Sequence, residues 1–207
     1  MRNYAEELAY WYFRLNGFFV LENYVLDRNQ QKENKAYETD IIAVRFPYVY
    51  EEIGGREDDW HKDLKDMIPK FEENIIGVIC EVKSGEDGYS NNDLFIEPKL
   101  KRCLQRLGFY KSGSNEFKNA YEQLLNNSSY CYKKCTIVKI LISPKRHTGE
   151  KFKNILLSDI DSFITKRIKK YSEKYSDRNF FNSNLIQYKI WKSYKSQYLN
   201  YNEKKVE

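Results

Sequence analysis

The chain has 207 residues, of which 41% are hydrophobic and 31% charged, which suits one domain with a buried core and excludes a disordered composition. No apolar run reaches the roughly 20 residues a bilayer-spanning helix needs. The N-terminus, with Glu6 and Glu7, lacks the basic head and apolar middle of a secretory signal, so a cytoplasmic protein with no membrane partner is expected. The net charge of +5 is unevenly spread: residues 133–207 carry 18 Lys and Arg against 7 Asp and Glu, while residues 1–132 carry 17 against 23. A basic C-terminal half suits a polyanion, and an acidic N-terminal half repels one unless its acids hold cations.

Residues 3–15 read as a helix with Leu8, Ala9, Tyr12, Phe13 and Leu15 on a broad apolar face and Gly17 ending it in the left-handed conformation. Residues 18–26 are aromatic and branched, a strand, followed by a polar loop over 27–34. A second strand runs over 37–46 and stops at Pro47. Residues 51–73 are acidic and read as an insertion with a short helix over 58–67. The third strand, 75–83, is apolar until its end, the pattern of a strand buried on both faces. After a Gly/Ser/Asn loop over 84–92, helices are predicted over 98–107 and around 117–125, the first with Pro98 in its opening turn and Gly108 past its end. A fourth strand spans 136–142, a long helix capped by Ser158 or Asp159 follows, and residues 185–191 read as a last strand. Cys80, Cys103, Cys131 and Cys135 lack the paired Cys/His spacing of a zinc site and read as thiols in a reducing compartment.

Glu81 and Lys83 lie two apart on a predicted strand, so both face one side of it. They end a run otherwise suited to the core, where a charge is costly unless partnered. Glu38 and Asp40 repeat the spacing at the beginning of the preceding strand. If those two strands are antiparallel, Asp40, Glu81 and Lys83 converge. Such carboxylates make a hard-oxygen site suited to magnesium, which lowers the pKa of water and stabilises charge on phosphorus. The bland alternative is a surface strand with a weak cross-face ion pair.

These residues resemble a known family. An acid and Asp on one strand, then Glu-x-Lys on the next, is the signature of the PD-(D/E)XK, or restriction-endonuclease-like, nucleases. The segment from Ala5 to Phe18 is similar to the opening helix of the small Holliday-junction-resolvase-related members, Glu38-Thr39-Asp40-Ile41-Ile42-Ala43 to their second strand, and Cys80-Glu81-Val82-Lys83-Ser84 to their third. The resemblance covers about residues 3–84. It implies Asp40 and Glu81 as ligands of Mg²⁺ or Mn²⁺, Lys83 as the catalytic lysine, Glu6 as the helix-borne acid completing the site, and Glu38 as an auxiliary ligand or merely a polar strand start. Three features depart from the pattern: Thr39 replaces the usual proline, the stretch between Asp40 and Glu81 is long, so that the insertion must loop out of the hairpin, and the C-terminal part carries no further motif.

The resulting expectation is an α/β (α+β) fold with a restriction-endonuclease-like core of order αβββαβ, a central mixed sheet flanked by helices. The core occupies residues 1–157, and a basic helical and strand extension over 158–207 packs on it. Lys99, Lys101, Arg102 and Arg106 on one helix, and Lys166, Lys169 and Lys170 on another, are candidates for phosphate contacts or solvated faces. Gln105 reads either as a polar active-site residue or as a solvent-facing one. Tyr171, Tyr175, Tyr188, Trp191, Tyr194 and Tyr198 interleave with basic residues, the composition of a stacking surface or of a tyrosine-rich core. The expected activity is metal-dependent hydrolysis of DNA, with RNA left open, by an enzyme acting as a homodimer in genome defence or DNA repair. A catalytically inactive nucleic-acid-binding module and a protein-interaction module, the latter using residues 51–73 as an acidic docking segment, are the alternatives.

Overall fold

The computed structural model describes residues 3–28, 36–85, 95–147, 151–176 and 183–203. The side chains of Tyr194 and Tyr198, and most of the two polar loops after the first and third strands, lie outside the described residues. The chain opens with α1 (Tyr4–Leu15), whose first free amides are satisfied by Asn3: its side-chain oxygen accepts from the N–H groups of Ala5 and Glu6 at 2.9 and 3.0 Å. Gly17 turns the chain out of the helix at φ 82°, and a Cβ there would meet Val49 Cγ1 at 2.8 Å, so only glycine fits both the backbone and the space.

Six strands form one mixed sheet: β1 (Phe19–Arg28), β2 (Ala36–Arg45), β3 (Ile75–Val82), β4 (Ser129–Tyr132), β5 (Cys135–Ser143) and β6 (Lys153–Leu156). The order is β1-β2-β3-β5-β4, with β6 also paired to β5. β2 pairs antiparallel with both β1 and β3, and β5 runs parallel to β3. The crossover between those parallel strands carries α3 (Glu97–Leu107) and α4 (Asn115–Asn126). They cover one face, where Leu100, Cys103, Leu104, Phe117 and Leu124 pack on Ile42, Ile79, Ile137 and Leu141. The opposite face carries α1, α5 (Leu157–Lys170), α6 (Ser172–Ser176) and α7 (Asn184–Glu203), with Ile186 and Ile190 of α7 in the same core as Phe13, Val78 and Ile164. β3 is sandwiched between the two cores, which explains its unbroken apolar run. Among the described residues no helix is long and apolar enough to cross a membrane.

Three expectations are corrected. Residues 185–191 are helical, within α7, because the buried positions Ser183, Ile186, Ile190 and Ser193 recur at helical spacing. α5 starts at Leu157 and neither Ser158 nor Asp159 caps it: β6 runs directly into the helix, and its last residue, Leu156, takes the capping position in extended conformation. Two short strands, β4 and β6, were not anticipated; four residues each are too few to show a period.

The acidic segment 51–73 leaves the β2–β3 hairpin as expected, and it folds back on the core. Around a 3-10 turn at Glu57–Asp59 and α2 (Lys62–Met67), it buries Trp60, Leu64, Ile68 and Phe71 in the larger core. Two buried guanidiniums fasten it. Arg45, 1% exposed, lies over the Phe71 ring at 4.2 Å and donates to the carbonyls of Asn16 and Phe71 at 3.2 and 3.1 Å. Arg167 of α5 donates to the carbonyls of Gly54 and Asp59. Lys170 and the Tyr171 hydroxyl both bond the Asp59 carboxylate, at 2.7 Å each, and together with Arg167 they hold its pKa below the usual range despite burial. The buried Asp59 charge is therefore neutralised internally.

All four cysteines are free thiols. Cys80 and Cys103 are buried, which pushes both thiols up, Cys103 to about 12, whereas Cys131 is exposed and Cys135 half-buried. A disulfide reagent should modify Cys131 first in the native protein, and Cys80 and Cys103 only on unfolding. Prompt native labelling of all four would contradict this packing.

Candidate active site

The antiparallel register of β2 and β3 sets Ile41 opposite Cys80, so the next step outward brings Asp40 beside Glu81. The ladder is continued there by a side chain: Asp40 Oδ2 accepts from the Val82 N–H at 2.7 Å. Along β3, Ile76, Val78, Cys80 and Val82 face the larger core and Ile79 the smaller one. Alternation thus turns Glu81 toward α3. Its side chain is 4% exposed.

A carboxylate so buried requires compensation. Lys99 of α3 supplies it, with Nζ 2.5 Å from Glu81 Oε1 and a side chain 13% exposed. The Thr39 hydroxyl donates to the same oxygen at 3.4 Å. The Glu81 pKa is nevertheless raised: burial dominates and the Asp40 charge adds to it, while Lys99 and then Lys83 oppose. Lys83, half-buried, stands one residue past the end of β3, and its backbone N–H donates to the Ile142 carbonyl at 2.8 Å. The site is thus an acidic pair at one end of the sheet, within the field of two ammonium groups.

Of the residues singled out in the sequence, the fold brings together Asp40, Glu81 and Lys83. Glu6 is engaged elsewhere: its Oε1 accepts from Asn3 Nδ2 at 2.6 Å, although Tyr4 of the same helix donates its hydroxyl to the Ser84 carbonyl at 3.2 Å. Glu7 accepts from the Ser183 hydroxyl instead. Among the described residues no three His, Cys, Asp or Glu side chains are gathered as a metal-holding group. Glu38 is exposed, opposite Val25 of β1. Lys101, Arg102 and Arg106 are exposed on α3, and Gln105 accepts from Arg102 and donates to Ser112 at 3.4 and 3.1 Å. Lys166 and Lys169 are exposed on α5, and Lys170 is engaged with Asp58 and Asp59. A groove of about 970 Å³ lined by Phe19, Phe46, Tyr48 and Lys134 lies at the other end of β2 and β3, away from the carboxylates.

The residues that sequence reasoning did not place are Lys99, read there as a phosphate contact, and Thr39. Lys99 carried a signal: it lies four before Cys103, within the apolar stripe of α3, where a charge needs a buried partner. The donor set suits a hard divalent cation in kind, since Mg²⁺ is bound by one or two carboxylates with water and substrate phosphate completing its shell. The chain matches no protein-family model, and no curated protein or solved structure matches it.

Proposed function

We propose that the chain is a divalent-metal-dependent nuclease hydrolysing DNA phosphodiester bonds on a restriction-endonuclease-like core, with Asp40, Glu81 and Lys83 at its centre. The observation that carries this reading is the meeting of Asp40 and Glu81 across antiparallel β2 and β3, with Lys83 two residues beyond Glu81. The elements α1, β1, β2, β3, α3 and β5 fall in the order αβββαβ, with α2, α4 and β4 interposed, which supports the fold-level part of the reading.

Asp40 and Glu81 would hold Mg²⁺ or Mn²⁺, and Glu6 would join them by exchanging Asn3 for the cation. The bound ion supplies Lewis-acid polarisation of the phosphate and lowers the pKa of water. Lys83 neutralises a phosphate oxygen and orients the incoming water. That water adds to phosphorus and loses a proton, one P–O ester bond breaks, and the departing alkoxide is protonated. Lys99 holds the Glu81 charge in place at 2.5 Å.

The Glu81–Lys99 pair also favours a second reading, a nucleic-acid-binding module without activity, because it satisfies the carboxylate with no metal. Incubation of the purified chain with plasmid and oligonucleotide DNA in Mg²⁺, Mn²⁺ or excess chelator separates the two. Cleavage with either metal and none in chelator is the expected result. DNA retained on the protein with no metal-dependent cut establishes the binding module instead.

A further inference from the structure

We infer that the groove between α1, α5 and α7 holds the single-stranded part of a DNA substrate, leading away from the phosphate cut at the end of β3. The groove measures about 640 Å³. One wall is a helical stripe of α5, Asp161, Thr165 and Lys169, and the other a stripe of α7, Leu185, Tyr188 and Lys192. Lys189 inside it is paired with Asp161, and Lys169 and Lys192 are exposed on its rim. Beside the groove's Tyr188, and outside its lining, stands Trp191; the two are 54% and 55% exposed, with ring centroids 5.9 Å apart.

Two observations give the groove its ligand and its direction. Exposed aromatic rings flanked by lysines suit unpaired bases joined by phosphates, because stacking on a side chain requires a base that is not already stacked within a duplex. The groove is also lined by Tyr4, whose hydroxyl donates to the carbonyl of Ser84, the next residue after Lys83. That contact joins the groove wall to the end of β3, and on the nuclease reading a strand held in the groove runs on toward the carboxylate pair. That direction rests on the nuclease reading; the binding itself does not.

The test is fluorescence anisotropy of the full chain in chelator, so that nothing is cut. The probes are a labelled thymidylate oligomer about 16 nucleotides long, the upper end of a single-strand groove's footprint, and a duplex of the same length. Tyr188→Ala with Trp191→Ala is expected to weaken single-strand binding by roughly tenfold or more, on the scale of one lost base stack, with duplex affinity changed less than about twofold. Lys169→Glu, a surface change on a different helix, should weaken single-strand binding and flatten its salt dependence. Thermal melting confirms that both variants fold. Single-strand affinity unchanged in both variants, or lost equally for duplex, overturns the assignment. Single-strand binding that depends on these residues in a chain that never cuts supports the groove and overturns the nuclease. Metal-dependent cutting with affinity unchanged in the variants does the reverse.

Discussion

Asp40→Asn and Lys83→Met are each expected to reduce metal-dependent DNA cleavage by roughly 10²- to 10³-fold or more, the range lost when one transition-state stabilising group is removed. Asn is chosen over Ala because Asp40 has two duties. Its Oδ2 accepts the Val82 N–H at 2.7 Å, closing the β2–β3 pair at its open end. An asparagine oxygen can accept that bond while removing the negative charge a divalent ion needs. A loss of cleavage with unchanged thermal stability therefore reports on chemistry and not on the strand pair. Lys83 follows the last residue of β3 and is half-buried, so methionine preserves its stem and deletes only the ammonium. Sustained cleavage by both variants would dismiss the assignment. An arrested Asp40→Asn with an active Lys83→Met would keep the metal pair and remove the lysine from the mechanism.

Lys99→Met is expected to destabilise the fold by about 3–5 kcal/mol at neutral pH, the cost of leaving one member of a buried ion pair uncompensated. The partner left behind is Glu81, 4% exposed and beside Asp40. The folded state already holds the Glu81 proton more tightly than the unfolded chain does, because its pKa is raised by burial. The stability this group contributes is therefore complete below the ordinary glutamate range and lost as pH rises through the raised folded value. Without Lys99 that value rises further, so the deficit of the variant should shrink on acidification, as read by urea unfolding across pH. Mn²⁺ should recover part of it, because an ion bound only by the folded state stabilises by mass action and can take over the countercharge. A deficit below about 1 kcal/mol, the level of a solvent-exposed pair, would show that Glu81 is not desolvated as described. A large deficit with no response to Mn²⁺ would leave the ion pair structural and weaken the metal reading.

The acidic segment teaches a related lesson about charge. Read along the chain, its Asp and Glu residues suggested a docking surface, yet Asp59 is 6% exposed and shared between Lys170, Tyr171 and Arg56, while Arg167 grips the adjoining backbone. Lys170, Tyr171 and Arg167 lie on or just past α5, more than a hundred positions further on, and nothing near Asp59 in sequence marks them. A run of charge in sequence thus says little about charge in solution until the opposite sign is placed.

By itself the sequence determined the elements that repeat their pattern over two or more turns or several strand residues. These are α1 with its glycine stop, β2 and β3, β5, and α3 between Pro98 and Gly108. It also placed Glu81 at the end of a strand, since a buried apolar run closing on a charge needs no partner to read. Only the tertiary structure decided that β2 and β3 run antiparallel in the register that joins Asp40 to Glu81, that Lys99 reaches Glu81, that Glu6 bonds Asn3, and that residues 185–191 belong to a helix. The division has one physical cause. Backbone periodicity is set by neighbours within a few residues, whereas the partner of a buried charge is set by which element crosses the sheet above it.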